Sequence, residues 1–228
     1  AIIKENTRNT EDKTNILAFD FQINNTENLS AIFKLPVTVI SPAKIIGSYN
    51  NILNRFNLEA YTPVIKAGGM NIKSGYVRIT NPSDSINAEI NALVVGKKEA
   101  INDISIRANI KDNLVNTHIS LINSGQQKAR GNFSVATLFT KEEKEPLQIG
   151  MDMLPSELLI NNATWKMDKS NISIKDNTFA VNNFLIHNQD GSQEVNINGK
   201  YSNKNSTDIL KAELKNIDLE YVFQTLAI

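Results

Sequence analysis

The sequence predicts an all-β fold, an elongated antiparallel or mixed sheet with one or two short amphipathic helices, and three observations carry the prediction. From Leu154 to Ser202, apolar residues alternate with polar ones in short runs: Ala163, Trp165, Met167; Ile172, Ile174; Phe179, Val181; Phe184, Ile186; Val195, Ile197. That is the period of a sheet with one dry and one wet face. Asp, Asn and Gly pairs separate the runs, and such residues supply the backbone angles that tight turns need. The chain also contains 32 Asn and 29 Ile among its 228 residues, one type suited to turns and side-chain amide ladders, the other to a pleated, half-buried surface. An AT-rich genome would bias codons the same way, so composition alone leaves both explanations open.

Residues 1–14 are polar and charged and read as a frayed lead-in. The first strand is expected at Ile16 to Ile23. After a turn over Asn24 to Asn28, an apolar run from Ala31 to Ile40 contains Pro36, which suits an edge strand or a bulge. Ser41 and Pro42 resemble an N-cap and first helical position. Ile45, Ile46, Tyr49, Ile52, Leu53 and Phe56 recur at helical spacing, so a helix is expected from about Pro42 to Asn54. Gly47 and the Asn residues weaken that reading, since the same letters could bend between two strands.

Strands are then expected at Phe56 to Ala60, Val64 to Lys66, Met70 to Lys73, Gly75 to Thr80, Ile86 to Val95, Ile101 to Ile110, Leu114 to Ile122, Ala129 to Leu138 and Leu147 to Met153. Gly68-Gly69, Ser74-Gly75, Asn81-Pro82, Asp112-Asn113 and Ser124-Gly125 punctuate them as turns. Asp190-Gly191, between two alternating segments, is a hairpin signal. After Ile209 to Leu214 the period changes: Leu219, Val222, Phe223 and Leu226 follow i, i+3, i+4, i+7 spacing behind Asp218, which predicts a C-terminal amphipathic helix.

The chain carries 24 basic and 24 acidic residues, the basic ones scattered along it. Nucleic acid or an anionic membrane surface would call for a concentrated positive patch, so neither a nucleic-acid partner nor a polybasic membrane patch is expected. Without cysteine, the chain has no disulfide, thiolate metal site or cysteine nucleophile. No apolar run approaches the roughly 20 residues of a membrane-spanning helix. The chain opens Ala-Ile-Ile-Lys and is read as a piece of something longer.

No residue constellation announces chemistry. His118 and His187 each stand alone in a strand pattern, with no partner at metal-ligand spacing. The segment Asn188 to Gly191 lacks the alternating acidic ligands of a calcium loop and reads as a turn. Trp165 is the single tryptophan and is expected on the apolar face rather than as a sugar platform. No catalytic residue, metal or cofactor is assigned, and the chain is not expected to be an enzyme.

The stretch from Leu154 onward resembles the carboxy-terminal region of TamB-type translocation and assembly proteins of the AsmA-like superfamily. The resemblance rests on an apolar run with Pro155-Ser156 before a strand carrying Trp165, and on successive short I-x-I strands. It rests also on the segment Val195 to Ser202 and the closing Asn216 to Phe223. It is strongest over residues 154–228 and continues upstream only as strand rhythm.

The resemblance implies a single elongated β domain over residues 1–228, part of a larger periplasmic protein of a diderm bacterium anchored in the inner membrane. The sheet would be strongly curved into a taco-like or solenoid-like groove. Phospholipid acyl chains would move along it between the inner and outer membranes, with an outer-membrane β-barrel protein as a further partner. Trp165, Met167, Ile172, Ile174, Phe179, Val181, Phe184, Ile186, Val195 and Ile197 are the expected groove lining, and Leu219, Val222, Phe223 and Leu226 the expected end plug. Two alternatives stand beside this: a scaffold for outer-membrane protein assembly and secretion, and a structural β-solenoid stalk with a self-packed core.

Overall fold

A computed structural model of the chain describes residues 16–67, 70–95, 101–123, 128–143, 145–160, 162–202 and 207–217. The first half holds β1 (Ile16–Ile23), α1 (Glu27–Phe33), β2 (Val37–Val39), β3 (Ala43–Asn50), β4 (Arg55–Ala67), β5 (Met70–Thr80), β6 (Ile86–Val95), β7 (Ile101–Lys111) and β8 (Leu114–Asn123). The second half holds β9 (Ala129–Thr140), β10 (Gln148–Met153), β11 (Ser156–Ile160), β12 (Ala163–Met167), β13 (Ser170–Lys175), β14 (Thr178–Asn188), β15 (Glu194–Ser202) and β16 (Leu210–Lys215). All sixteen strands belong to one sheet, and every pairing is antiparallel.

The topology is simpler than sixteen strands imply. β2 and β3 pair along the same edge of β4, β10 and β11 along the same edge of β9, and β12 and β13 along the same edge of β14. Each pair is one strand line, interrupted once. Thirteen lines remain, in strict sequence order, which makes an up-and-down meander. At ~4.8 Å per line they span roughly 58 Å. Hairpins make such a sheet directly: Asp176 and Asn177 both adopt positive φ between β13 and β14, as a type I′ turn requires. Gly191 (φ 70) does the same in the predicted Asp190-Gly191 turn, where Ser192 N–H donates to Asp190 Oδ1 at 2.9 Å.

Several sequence expectations need correction. The helix expected over Pro42 to Asn54 is strand β3 followed by a turn, paired with β1 on one side and β4 on the other. Two ladders of backbone bonds outweigh a local pattern interrupted by Gly47, and the cross-strand partner of Gly47 is Phe19, whose ring occupies the space a Cβ would take. The helix lies earlier, at Glu27–Phe33, where a turn and the start of a strand were expected. Thr26 anchors it by accepting from the Val39 N–H, Ser30 Oγ donates to the Val37 carbonyl, and Lys34 ends it with φ 51 two residues before Pro36. Phe56 to Ala60 and Val64 to Lys66 are one strand, β4, and Met70 to Lys73 and Gly75 to Thr80 are one strand, β5. The expected C-terminal helix at Leu219 to Leu226 and the lead-in lie outside the described residues.

The interruptions line up across neighbouring strands. Pro63 in β4 stands level with Ser74 in β5 (φ 52), and pairing skips both. Residues 40–42 lie alongside, tied by Ile40 N–H to the Val64 carbonyl at 3.2 Å. In the second half, Leu154-Pro155, Asp168-Lys169 and Asn183 (φ 57) form a corresponding row, bridged by Leu154 N–H to Ser134 O at 2.9 Å and Asp168 N–H to Leu185 O at 3.0 Å. An extra residue bends its strand and tightens the local twist. A row of them creases the sheet along those neighbouring lines.

The core sits at these creases. Ala43, Met167 and Val181 are the buried apolar side chains among the described residues, with Thr62 and Ser170 buried beside them. Ala43 and Thr62 flank the first crease; Met167, Ser170 and Val181 surround the second. Met167 is 1% exposed and Ile90, on the strand next to the first crease, 39%. Met167→Ala is therefore expected to cost about 2–5 kcal/mol, and Ile90→Ala about 1–2 kcal/mol, measured by urea denaturation followed by circular dichroism.

Candidate functional site: the apolar face of the sheet

Directly paired residues of an antiparallel ladder share a face, so the registers assign every strand residue to one side. Phe21, Ile45, Ala60, Val77, Ile90, Ile106, Ile119 and Phe133 are successive partners across eight lines. On the same face, Ile86, Ile110, Val115, Thr137, Met151, Ile172, Val181, Gly199 and Leu210 run from β6 to β16. One apolar surface therefore extends from the first strand to the last.

All ten residues proposed from the sequence as a lining lie on that face. Met167 partners Ile186, which partners Val195; Ile172 partners Val181, Ile174 partners Phe179, Phe184 partners Ile197, and Trp165 faces Leu158. Sequence reasoning missed the front half, from Phe21 to Phe133. The alternation was present there, but each strand offers two sets of residues, and only the register reveals which sets coincide.

Among the described residues the face is shielded by its own sheet neighbours, since all the described strands lie in one sheet. Most of its residues are half-buried, and Phe21 is 58% and Ile174 37% exposed. In a self-packed sandwich both inner faces would be buried and interdigitated. At the first crease the face deepens into a recess of about 360 Å³ walled by Ile23, Ala43, Ile45, Ala60, Ile72 and Ile90. Close approach is built in where glycine sits on this face: the Phe133 ring and Leu158 lie over Gly131.

The opposite face is polar and organised in rows. Glu59, Arg78, Glu89, Arg107, His118 and Ser134 are successive partners, joined by Arg78–Glu59 at 3.4 Å, Arg107–Glu89 at 3.5 Å and His118 Nδ1 to Ser134 Oγ at 3.0 Å. The next row contains Asn87, Asn109 and Asn116 and continues to Asp152, Asn171 and Asn182. Asn109 donates to Asn87 at 2.7 Å and Asn171 to Asp152 at 3.0 Å. The parts of these rows on β5 to β9, from Arg78 to Ser134 and from Asn87 to Asn116, line a shallow 660 Å³ hollow whose charges are paired across strands.

Neither histidine meets a metal partner set: among the described residues no group of three or more His, Asp or Glu could hold a metal ion. His187 Nδ1 contacts the Asn188 carbonyl at 2.9 Å, and Nε2 lies 3.7 Å from Asp168. No described helix is long and apolar enough to cross a membrane. Comparison with protein-family models, curated proteins and solved structures finds no match.

Among the described residues, the marked electrostatic perturbations lie at Asp84, Lys111 and Asp190, in turns or at a strand end. Lys111 hydrogen-bonds Asp84 and attracts its charge, holding that carboxyl below its ordinary value, and Asp84 raises Lys111 in return. Hydrogen bonds from Ser192 lower Asp190 similarly. A depressed carboxyl contributes stability above its unfolded pKa and loses it as pH falls through the folded one. The Asp84 side chain should therefore titrate below the ordinary carboxylate midpoint in an NMR pH series, and Lys111→Met should move it back up.

Proposed function

We propose that this chain is a periplasmic segment of a TamB-like, AsmA-superfamily envelope protein whose apolar face receives phospholipid acyl chains and conducts them between the inner and outer membranes. The supporting observation is the half-exposed apolar face that runs across all thirteen lines, with no covering layer among the described residues. A soluble protein rarely leaves so broad an apolar surface to water unless something docks there. Acyl chains fit its chemistry, because each methylene withdrawn from water gains about 0.8 kcal/mol and needs no directional partner. The polar headgroup would remain in water outside the groove.

A scaffold for outer-membrane strands is the second reading. It is favoured by β1 and β16, each of which pairs with one strand only among the described residues and could template another. A self-packed stalk is disfavoured by the half-exposed apolar face.

Solvent extraction of the purified chain followed by mass spectrometry tests the proposal, with stoichiometric phospholipid expected. The wall is probed by Ile174→Asp and Ile197→Asp. In an open groove water follows the carboxylate, so thermal melting should shift by only a few degrees while co-purified lipid falls. Unfolding of both variants would indicate a packed core. Two folded variants with unchanged lipid would remove these positions from the lipid path.

A further inference from the structure

We propose that β16 is a self-recognition edge through which two copies of this chain pair antiparallel, Leu210 opposite Leu214, Lys211 opposite Glu213 and Ala212 opposite Ala212. Backbone direction is the first support. Lys200 N–H donates to the Ile209 carbonyl at 3.1 Å, so residue 209 turns its polar groups toward β15. Direction alternates along an antiparallel strand. Lys211, Glu213 and Lys215 therefore also bond toward β15, while Leu210, Ala212 and Leu214 turn N–H and C=O outward. All six residues of β16 are exposed, and among the described residues no strand pairs with that outer edge.

Side-chain complementarity is the second support. In the proposed register the three outward residues exchange both backbone bonds with their partners, and each Lys211 stands opposite a Glu213. In the single chain these two charges pair with each other along the strand. A slip by two residues sets Lys211 against Lys211 in one direction and Glu213 against Glu213 in the other. Like charges directly opposite are destabilising, so the register is selected. Lysines on an edge strand commonly prevent pairing; alternated with glutamate in the order Leu-Lys-Ala-Glu-Leu they make the edge complementary to itself. The edge at β1 lacks this property, since its only charge is Asp20, which Lys44 already pairs at 3.1 Å.

The faces also agree. Leu210, Ala212 and Leu214 lie on the apolar side, because they partner Gly199, Ile197 and Val195. A two-fold axis perpendicular to the sheet keeps the apolar sides of both copies on the same side. This pairing does not depend on what the apolar face carries.

Sedimentation velocity on the full chain tests it. So short an edge contact belongs with the small, transient interfaces, and a reversible dimer is expected at concentrations of about tens of micromolar. Lys211→Glu and Glu213→Lys should each weaken the dimer about tenfold or more, because both symmetry-related pairs become repulsive. Mixing the two variants should restore a heterodimer, since every opposed pair is then of opposite sign. The double variant should recover self-association. Ala212→Pro removes an outward N–H that β15 does not use, so dimerisation should be lost with the circular dichroism spectrum retained. A chain that stays monomeric at all concentrations, single reversals without effect, or a mixture that fails to associate would each overturn the proposal.

Discussion

Burial at the two creases is the interaction on which the rest of the structure depends. A meander of thirteen lines satisfies nearly all its backbone polar groups through neighbouring strands, but a flat single sheet buries almost no side chain completely. Bending it brings residues of adjacent lines together over the fold. Met167, Val181 and Ser170 meet at one crease, and Ala43 and Thr62 at the other. The bends come from backbone features that sequence supplies locally: Pro63, Ser74, Leu154-Pro155 and Asn183. Residues that look like breaks in the strand pattern are therefore where the sheet gains its most complete burial.

The creases impose a further condition. An extra residue in one strand turns everything beyond it to the other face. Trp165 and Met167 share a face with Ile172 and Ile174 although the residue numbers change parity, because Asp168 and Lys169 absorb the change. Asn183 does the same between Val181 and Phe184, and Leu154-Pro155 between Met153 and Ser156. The three breaks sit level, so neighbouring lines switch together and the apolar rows continue through the bend. The polar rows of Asn and of paired charges hold the other side in register by the same logic. Part of the asparagine excess thus has a structural use, in Asn87, Asn109, Asn171 and Asn182.

How much of this was legible in the sequence depended on the range of the deciding interaction. Strand identity was legible from Ile86 to Ser202 because alternation is local, and the Asp112-Asn113 and Asp190-Gly191 turns were legible because turn chemistry is local. The ten residues from Trp165 to Ile197 could be grouped for the same reason. β3 was misread as a helix because Ile45, Ile46 and Tyr49 match helical spacing, and the decisive facts, pairing with β1 and β4 and the Phe19 ring over Gly47, lie at a distance in sequence. α1 was missed because its anchors, Ser30 to Val37 and Thr26 to Val39, span a loop. The pairing of broken lines was not legible at all, since a Pro or Asn that ends a strand and one that creases it look alike.

The same distinction bears on function. A catalytic or metal site concentrates chemistry in a few residue types at fixed spacing, so sequence can announce it. A surface for acyl chains demands only that one side of every strand be apolar and that the side stay the same across bends. Isoleucine, valine, leucine, alanine and phenylalanine all satisfy the demand, and no single position is required by chemistry. What such a function does constrain is parity: which residues of each strand are apolar, and how each interruption is matched by its neighbour. On the proposed reading, the selected feature of this chain is therefore its register, and the level breaks at 154–155, 168–169 and 183 are as much a part of the lipid path as the side chains that line it.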